Sequence, residues 1–314
     1  MATPAGMSAR STTDEVAVPD GILLLDKPLG VSSNAALQRV KRLFGARRAG
    51  HTGSLDPLAS GMLPICLGEA TKMAGALLES RKAYRFTIAL GARTSTGDAE
   101  GEVIERREVP PMQSATLGEV LARLTGERLQ TPPMYSALKF EGQPLYRLAR
   151  RGVDVPRSAR AIRIDTLELE EQGPTSLRLL TVCSKGTYVR SLAEEIATAL
   201  GTCGHVVVLR RLWVEPFEDE RPCTFELLEQ AATPQERAAL LLEPDRALRD
   251  WPRVDLDADR ARRLWQGQSV QTSEKDRATC VRVYAPEGRF MGCADRDAGG
   301  TLTARRLMAD EQGR

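Results

Sequence analysis

The chain has 314 residues, 42% of them hydrophobic and 27% charged, and its formal net charge is +2. That is enough chain for a full core, and as a prior two domains, in a soluble globular protein. No apolar run nears the length of a bilayer span, Ile22 to Leu25 being typical of the longest, which excludes a membrane-spanning helix.

The first twenty residues, rich in Ala, Ser and Thr, have no apolar signal-peptide core and are expected to form a loose tail. Gly21 to Asp26 reads as a short buried strand that ends in the Lys27-Pro28-Leu29-Gly30 turn. Ser32 or Ser33 caps the helix that follows, with Leu37, Val40 and Phe44 on one face, basic residues on the other and Gly45 at its end. Gly50 to Gly61 holds three glycines and His51 but no amphipathic period, so an ordered loop is expected there. Within it Pro57 biases Asp56 toward extended backbone, which presents a carboxylate on a stiff, non-helical peg.

Met62 to Leu67 reads as a strand, Ala70 to Leu78 as a helix, and Tyr84 to Leu90 alternates at period two. Gly91 to Gly101 is a loop dense in Thr, Ser, Asp and Gly. Leu117, Val120, Leu121 and Leu124 mark an amphipathic helix, and a second, basic helix is expected around Leu145 to Arg151. Two alternating strands, about 161–170 and 177–183, feed Ser184 to Arg190. A helix with Leu192, Ile196, Ala199 and Leu200 on one face then runs to Gly201, and Val206 to Leu212 forms a strand whose end becomes basic. Residues 224–248 are expected to be helical. From about 250 the texture becomes that of a small β-rich module: a helix near 257–266, then strands near 279–284, 289–294 and 302–307. The expected fold class is α+β, with a tail over 1–20, one domain over 21–248 and the module over 250–314.

Six cysteines, at positions 66, 183, 203, 223, 280 and 293, are scattered without a C-x-x-C pair. The one Cys/His neighbourhood, Cys203 with His205, is too small to enclose zinc, so no metal is expected and the thiols read as reduced and mostly buried in a cytoplasmic protein. Positive charge is concentrated. Residues 38–48 carry Arg39, Lys41, Arg42, Arg47 and Arg48 with no acid. Residues 132–160 carry Lys139, Arg147, Arg150, Arg151, Arg157 and Arg160 against Glu141 and Asp154. A polyanion senses such clusters within a Debye length, although a solvated helix face has the same composition.

Asp56, Tyr84 and Arg190 fall at a loop, a strand start and a strand–helix junction, where side chains from distant segments of a mixed sheet converge on one cleft. Taken singly, each has a plain reading: an Asp-Pro pair starting a turn, a core tyrosine, an arginine flanking a helix. Six segments in this order and spacing say more. They are Asp26-Lys27-Pro28, the loop from His51 to Gly61, Tyr84 opening its strand, Tyr135-Ser136-Ala137-Leu138-Lys139, Lys185-Gly186-Thr187-Tyr188-Val189-Arg190, and Leu209-Arg210-Arg211-Leu212. With them the sequence resembles the bacterial tRNA pseudouridine synthase family called TruB, over nearly everything from Gly21 onward. One departure is Ser95, where the family often has Asp.

The resemblance implies a mixed β-sheet with flanking helices, an RNA-gripping insertion at about 132–160 and a small C-terminal RNA-binding module of the PUA type. It implies isomerisation of the uridine at position 55, in the T-loop of tRNA. The N1–C1′ bond breaks, the uracil turns, and it rejoins through C5. No redox change occurs, so no cofactor is expected. Asp56 is the implied catalytic carboxylate and Arg190 its cation. The target base must leave its stack, Tyr84 then stacking on it with a hydroxyl placed for proton transfer. Leu209 packs on the base, Lys27 supports the pocket floor, His51 meets the displaced RNA loop at the rim, and Tyr188 stands behind these. Lys139, Arg147, Arg150 and Arg151 are the expected phosphate contacts.

The partner is tRNA, and the chain is expected to act as a monomer in the cytoplasm. Two other readings are a non-catalytic RNA-binding or RNA-folding protein and a synthase acting on another RNA. Binding alone needs none of Asp56, Tyr84 and Arg190 in a cleft, while the compact insertion and the lack of long basic extensions favour a stand-alone tRNA enzyme. The loop lacks G-K-[ST], which disfavours a phosphate-cradling NTPase.

Overall fold

A computed structural model describes residues 20–273 and 278–309. The tail expected over 1–20 lies outside them, Asp20 excepted. In chain order come β1 (Gly21–Lys27), α1 (Ser33–Leu43), β2 (Ala49–His51), β3 (Ala59–Leu67), a 3-10 turn (Gly68–Met73), α2 (Ala74–Glu79), β4 (Lys82–Leu90), and the hairpin of β5 (Ala92–Thr94) and β6 (Val103–Arg106). Then follow α3 (Ser114–Leu124), β7 (Gly126–Gln130), a two-residue hairpin of β8 (Lys139–Phe140) and β9 (Gln143–Pro144), and α4 (Leu145–Arg150). Next are β10 (Arg160–Gln172), β11 (Ser176–Cys183), α5 (Val189–Ala199) and β12 (Gly204–Val214).

The main sheet has eight strands, ordered β1-β3-β12-β4-β11-β10-β7, with β2 paired to β3. It is mixed, since β3 and β12 run parallel while the other neighbours are antiparallel. Gly21 to Leu25 of β1 and Gly61 to Leu67 of β3 are near-continuous apolar runs because both faces are covered. Leu23 and Leu25 of β1, with Leu63, Ile65 and Leu67 of β3, join a core with α1, α3 and α5. Ile22 and Leu24, with Met62 and Cys66, join a second core on the opposite face with Met73, Leu77 and Phe217. Ser32 caps α1, its hydroxyl accepting from the Ala35 N–H at 3.2 Å.

Past β12 come α6 (Phe225–Gln230), α7 (Pro234–Ala238) and a 3-10 turn (Pro244–Leu248). They are followed by β13 (Arg253–Asp255), α8 (Ala258–Trp265), β14 (Val270–Gln271), β15 (Thr279–Tyr284), β16 (Phe290–Arg296) and β17 (Thr301–Leu307). These last strands form a five-stranded sheet, ordered β13-β15-β16-β17-β14, with its own core around Leu264, Val281 and Leu302. It docks on the second core through Cys293. Polar ties also hold it: Lys72 donates to the Leu307 carbonyl at 2.8 Å, and the Ala309 N–H donates to Glu69 at 2.7 Å.

Local structure departs from expectation in four places. The loop expected over Gly50 to Gly61 begins and ends inside strands, because Ala49–His51 pairs with Ile65 to Leu67 and Ala59 already pairs with Leu209. The helix expected from Ala70 is a 3-10 turn up to Met73 before it becomes α2. The loop expected over Gly91 to Gly101 opens with β5, which pairs with β6 just beyond it. Residues 224–248 break into three short helices, since Pro234 and Pro244 each open a new one and Leu242 leaves the helical path to pair with Ile22.

Candidate active site

One row of paired residues crosses five strands: Lys27, Gly61, Arg211, Tyr84 and Thr181 stand directly opposite one another in register. Paired residues in a sheet project to the same face, so this row presents a lysine, an arginine and a tyrosine side by side. Gly61 sits between the two cations. A Cβ there would lie 2.1 Å from the Arg211 carbonyl oxygen, and its φ of +103° also suits glycine alone. The absent side chain therefore lets β3 and β12 close up beneath the site. Leu209, two residues before Arg211, belongs to the same face and is buried in its core.

The loop from His51 to Ala59 lies over this floor. Ser33 ties it down, its hydroxyl donating to the Leu55 carbonyl at 2.9 Å and accepting the Leu55 N–H at 2.7 Å. The Pro57 carbonyl accepts from the Gly30 N–H at 2.8 Å, which fastens the loop to the turn after Lys27. From below, Arg211 Nη2 donates to the Gly53 carbonyl at 3.1 Å. Asp56 is thus presented by a loop held at three points.

Arg190, on the first turn of α5, meets Asp56 with Nε 3.0 Å from Oδ2. The guanidinium is almost wholly buried, whereas the Asp56 side chain is 41% exposed, so the pair has one dry and one open side. Nη1 donates to the Thr96 carbonyl and Nη2 to the Tyr135 carbonyl, both at 2.7 Å. A second carboxylate, buried Asp98, lies 3.6 Å from Nη1. Asp98 in turn accepts from Thr96 Oγ1 at 2.5 Å and from the Glu100 N–H at 3.1 Å. Burial pushes the Asp56 carboxyl above its ordinary value; Arg190 pulls it back, Asp98 pushes it further up, and Lys27 pulls it down.

The floor carries three buried cations, and all three donate to backbone carbonyls. Lys27 donates to Pro28 and Val31 at 2.8 and 2.6 Å, Lys82 donates to Ser80 at 2.5 Å, and Arg211 donates to Met62 at 2.7 Å. Burial draws both lysines down to about 8, with Asp56 pulling Lys27 upward and Arg211 pushing Lys82 further down. Burial also pushes the Tyr84 phenol up, against the pull of the neighbouring Arg211 guanidinium. His51, at the end of β2, is drawn down by burial and then by Arg211, and its buried Nδ1 has no hydrogen-bond partner.

Asp56, Arg190, Lys27 and Tyr84 are therefore near enough to act on one another's charge, Arg211 links Tyr84 with His51, and Leu209 shares a core with Tyr84. Tyr188 is the N-cap of α5, two residues from Arg190. Lys139, Arg147, Arg150 and Arg151 are exposed and stand apart, in the excursion that leaves the sheet at Gln130 and returns at its partner Arg160. Sequence reading missed Asp98, Lys82 and Gln130 as site residues, and quoted Arg211 only as part of a motif. Asp98 carried a faint signal, since its loop is dense in Thr, Ser, Asp and Gly. Among the described residues no group of His, Cys, Asp and Glu is arranged to hold a metal ion.

Residues 41–189 match the family described as TruB family pseudouridylate synthase (N terminal domain). Residues 190–249 match a tRNA pseudouridylate synthase B C-terminal domain, and residues 252–308 match Pseudouridine synthase II TruB, C-terminal. The chain belongs to the TruB family of pseudouridylate synthases. It is 49% identical to the tRNA pseudouridine synthase B of Methylobacillus flagellatus, covering 92% of this chain and 95% of that one. It is 47% identical to the protein of the same name from Nitrosococcus oceani, covering 93% and 96%. In fold it is similar to a solved chain of a Cbf5-Nop10-Gar1 complex, with a TM-score of 0.72 at 21% identity over 93% of this chain and 86% of that one.

Within the TruB frame, Ser95 takes a structural part: its hydroxyl accepts from the Glu102 N–H at 3.2 Å and closes the turn of the loop. The carboxylate that faces Arg190 from this loop is Asp98 instead. No described helix is long and apolar enough to cross a membrane.

Proposed function

We propose that this TruB chain isomerises uridine to pseudouridine at position 55, in the T-loop of tRNA, acting as a cytoplasmic monomer. The observation that carries the reading is the Asp56–Arg190 pair, 3.0 Å apart, above a floor of Lys27, Arg211 and Tyr84. The relatives' shared name, tRNA pseudouridine synthase B, supports tRNA as the substrate class. Residues 21–248 then form the catalytic domain, and the five-stranded module grips RNA as a PUA-like unit.

The target uridine flips out of its stack into the cleft, which costs a few kcal/mol of unstacking. Asp56, ionised, acts on the ribose, as nucleophile at C1′ or as base at the adjacent carbon. The N1–C1′ bond breaks and its electron pair leaves with the uracil. The ring turns over Tyr84 and Leu209, and C5 bonds to C1′ as Asp56 leaves C1′ or returns its proton to the adjacent carbon. The C5 proton is then lost, with the Tyr84 hydroxyl placed to move it, and N1, left with the electron pair, takes up a proton. Arg190 keeps Asp56 anionic against the cost of burial. Lys27 and Arg211 place positive potential beneath the departing uracil, where negative charge develops. Lys139, Arg147, Arg150 and Arg151 hold phosphates, and His51 contacts the RNA at the rim.

The test is incubation with unmodified tRNA transcript, followed by site-resolved mapping of pseudouridine. Conversion at position 55 alone is expected. Binding without conversion would favour an RNA-binding protein, and conversion only in another RNA would favour a different substrate.

A further inference from the structure

The strand that leads into the basic excursion is fastened to the helix that carries Arg190. Gln130, the last residue of β7, is 2% exposed, and its carboxamide meets the backbone of Tyr188 twice. Nε2 donates to the Tyr188 carbonyl at 3.2 Å, and Oε1 accepts from the Tyr188 N–H at 2.8 Å. Tyr188 is the N-cap of α5 and gives that helix no side-chain cap. The Leu192 N–H donates to the Tyr188 carbonyl at 3.1 Å, but no side chain at the N-cap takes up the free N–H groups of the first turn. Here a residue from a strand remote in sequence supplies the fixation. Two further contacts follow along the same segment: Ser191 Oγ donates to the Thr131 carbonyl at 3.5 Å, and Arg190 Nη2 donates to the Tyr135 carbonyl at 2.7 Å.

We propose that Gln130 is a positioning residue of the isomerisation: it fixes the first turn of α5, so that Arg190 Nε stays on Asp56 while Nη2 stays on the excursion. The inference rests on the reading of Arg190 given above. Two antiparallel hydrogen bonds from one planar amide define the backbone of Tyr188 in position and in orientation, which one bond would not. An apolar side chain at 130 would leave the Tyr188 N–H without its partner and release the turn on which Arg190 sits. Gln130 opposes Arg160 in register, so the residue that ends the sheet is also the hinge post of the RNA-binding excursion. RNA held by α4 therefore loads the joint that orients the catalytic cation.

The experiment uses Gln130→Met, close in volume and lacking the amide, in the full chain with unmodified tRNA transcript. Single-turnover rate at saturating tRNA should fall about ten- to a hundredfold, the loss that a small misplacement of a catalytic group brings. The tRNA dissociation constant should stay within about twofold, since no RNA contact is removed. The acid limb of the rate should move in the same direction as in Arg190→Lys. The double variant should be slower than Arg190→Lys by less than the Gln130→Met factor, because both changes act through one geometry. Gln130→Glu keeps the length and the acceptor but loses the donor, should retain more rate than Gln130→Met, and replaces it if circular dichroism shows the methionine variant unfolded. An unchanged rate in a folded variant, a loss confined to tRNA affinity, or independent effects in the double variant would overturn the proposal. If Arg190→Lys alone leaves the rate intact, the reading of Arg190 fails instead, and that result is visible separately.

Discussion

Asp56 and Asp98 share one cation: Arg190 Nε stands 3.0 Å from the first and Nη1 3.6 Å from the second. Asp98, beside the same guanidinium, opposes the ionisation of Asp56. Burial, the largest influence, and Asp98 together hold the Asp56 pKa above the ordinary value despite the ion pair with Arg190. Burial and Asp98 thus work against Arg190 and Lys27 at this one carboxyl.

Asp56→Asn should lower single-turnover isomerisation by about 10⁴-fold or more, as loss of a group central to chemistry does. Affinity for tRNA should change by no more than a few fold, because the proposed phosphate contacts are Lys139, Arg147, Arg150 and Arg151 and not the carboxylate. Measurable turnover by purified Asp56→Asn, free of host enzyme, would remove Asp56 from either role on the ribose.

Arg190→Ala should raise the Asp56 pKa further, since one of the two pulls that lower it is lost. The ionised fraction then falls at a given pH, so the acid limb of kcat/KM moves to higher pH and residual activity improves on going alkaline. Arg190→Lys should fall between, with a point charge but no fork. The alanine variant also strands buried Asp98, at a cost of about 3–5 kcal/mol, so thermal melting belongs beside the pH profile. A rate that falls equally at every pH would assign Arg190 to substrate or loop positioning.

Lys27, drawn down to about 8 by burial, should give kcat/KM an alkaline limb near that pH as its positive charge is lost. Lys27→Arg should remove the limb from the accessible range, because guanidinium does not titrate there. A limb that survives would belong to another group, and Lys82, also near 8, is the next to replace. The same depression has a stability counterpart. Between pH 8 and the ordinary lysine value of 10.5 the unfolded chain holds more protons at these two sites than the folded one. They therefore make stability rise with pH across that window.

Neutralising Arg147, Arg150 and Arg151 together should weaken binding to all tRNAs alike and flatten the dependence of log K on log salt, by up to about 2–3 units of slope if all three touch phosphate. An unchanged slope in filter binding would mark these arginines as a solvated face.

Much of this was legible in the chain. The Ile22 to Leu25 run, the alternation after Tyr84 and the amphipathic face of α5 each follow from a pattern of burial, and the cores on the two faces of the sheet take in all three. The meeting of Asp56 with Arg190 followed from sequence segments rather than periodicity. What stayed hidden lacks a pattern. Ala49–His51 is three residues long, too short to alternate, and it is a strand because β3 offers it an edge. Asp98 reads as one more polar loop residue, because Arg190, which faces it, lies far away in sequence. Gln130 gave no signal, since its partner is a backbone amide remote in sequence.

The outer edge of β1 is covered by segments made much later. Ile22 exchanges hydrogen bonds with Leu242, while Asp26 donates to the Cys223 carbonyl and Leu24 accepts from the Cys223 N–H. A nascent chain emerging N-terminus first thus exposes the apolar strand that ends in Lys27 long before its covering segments exist. Contacts of such long sequence separation form slowly and leave strand edges open meanwhile. Synthesis order therefore makes the region around residues 223–242 the latch of the strand that carries Lys27. A chain halted before it would carry Asp56, Tyr84, Arg190 and Arg211, yet present an uncovered sheet edge to its neighbours.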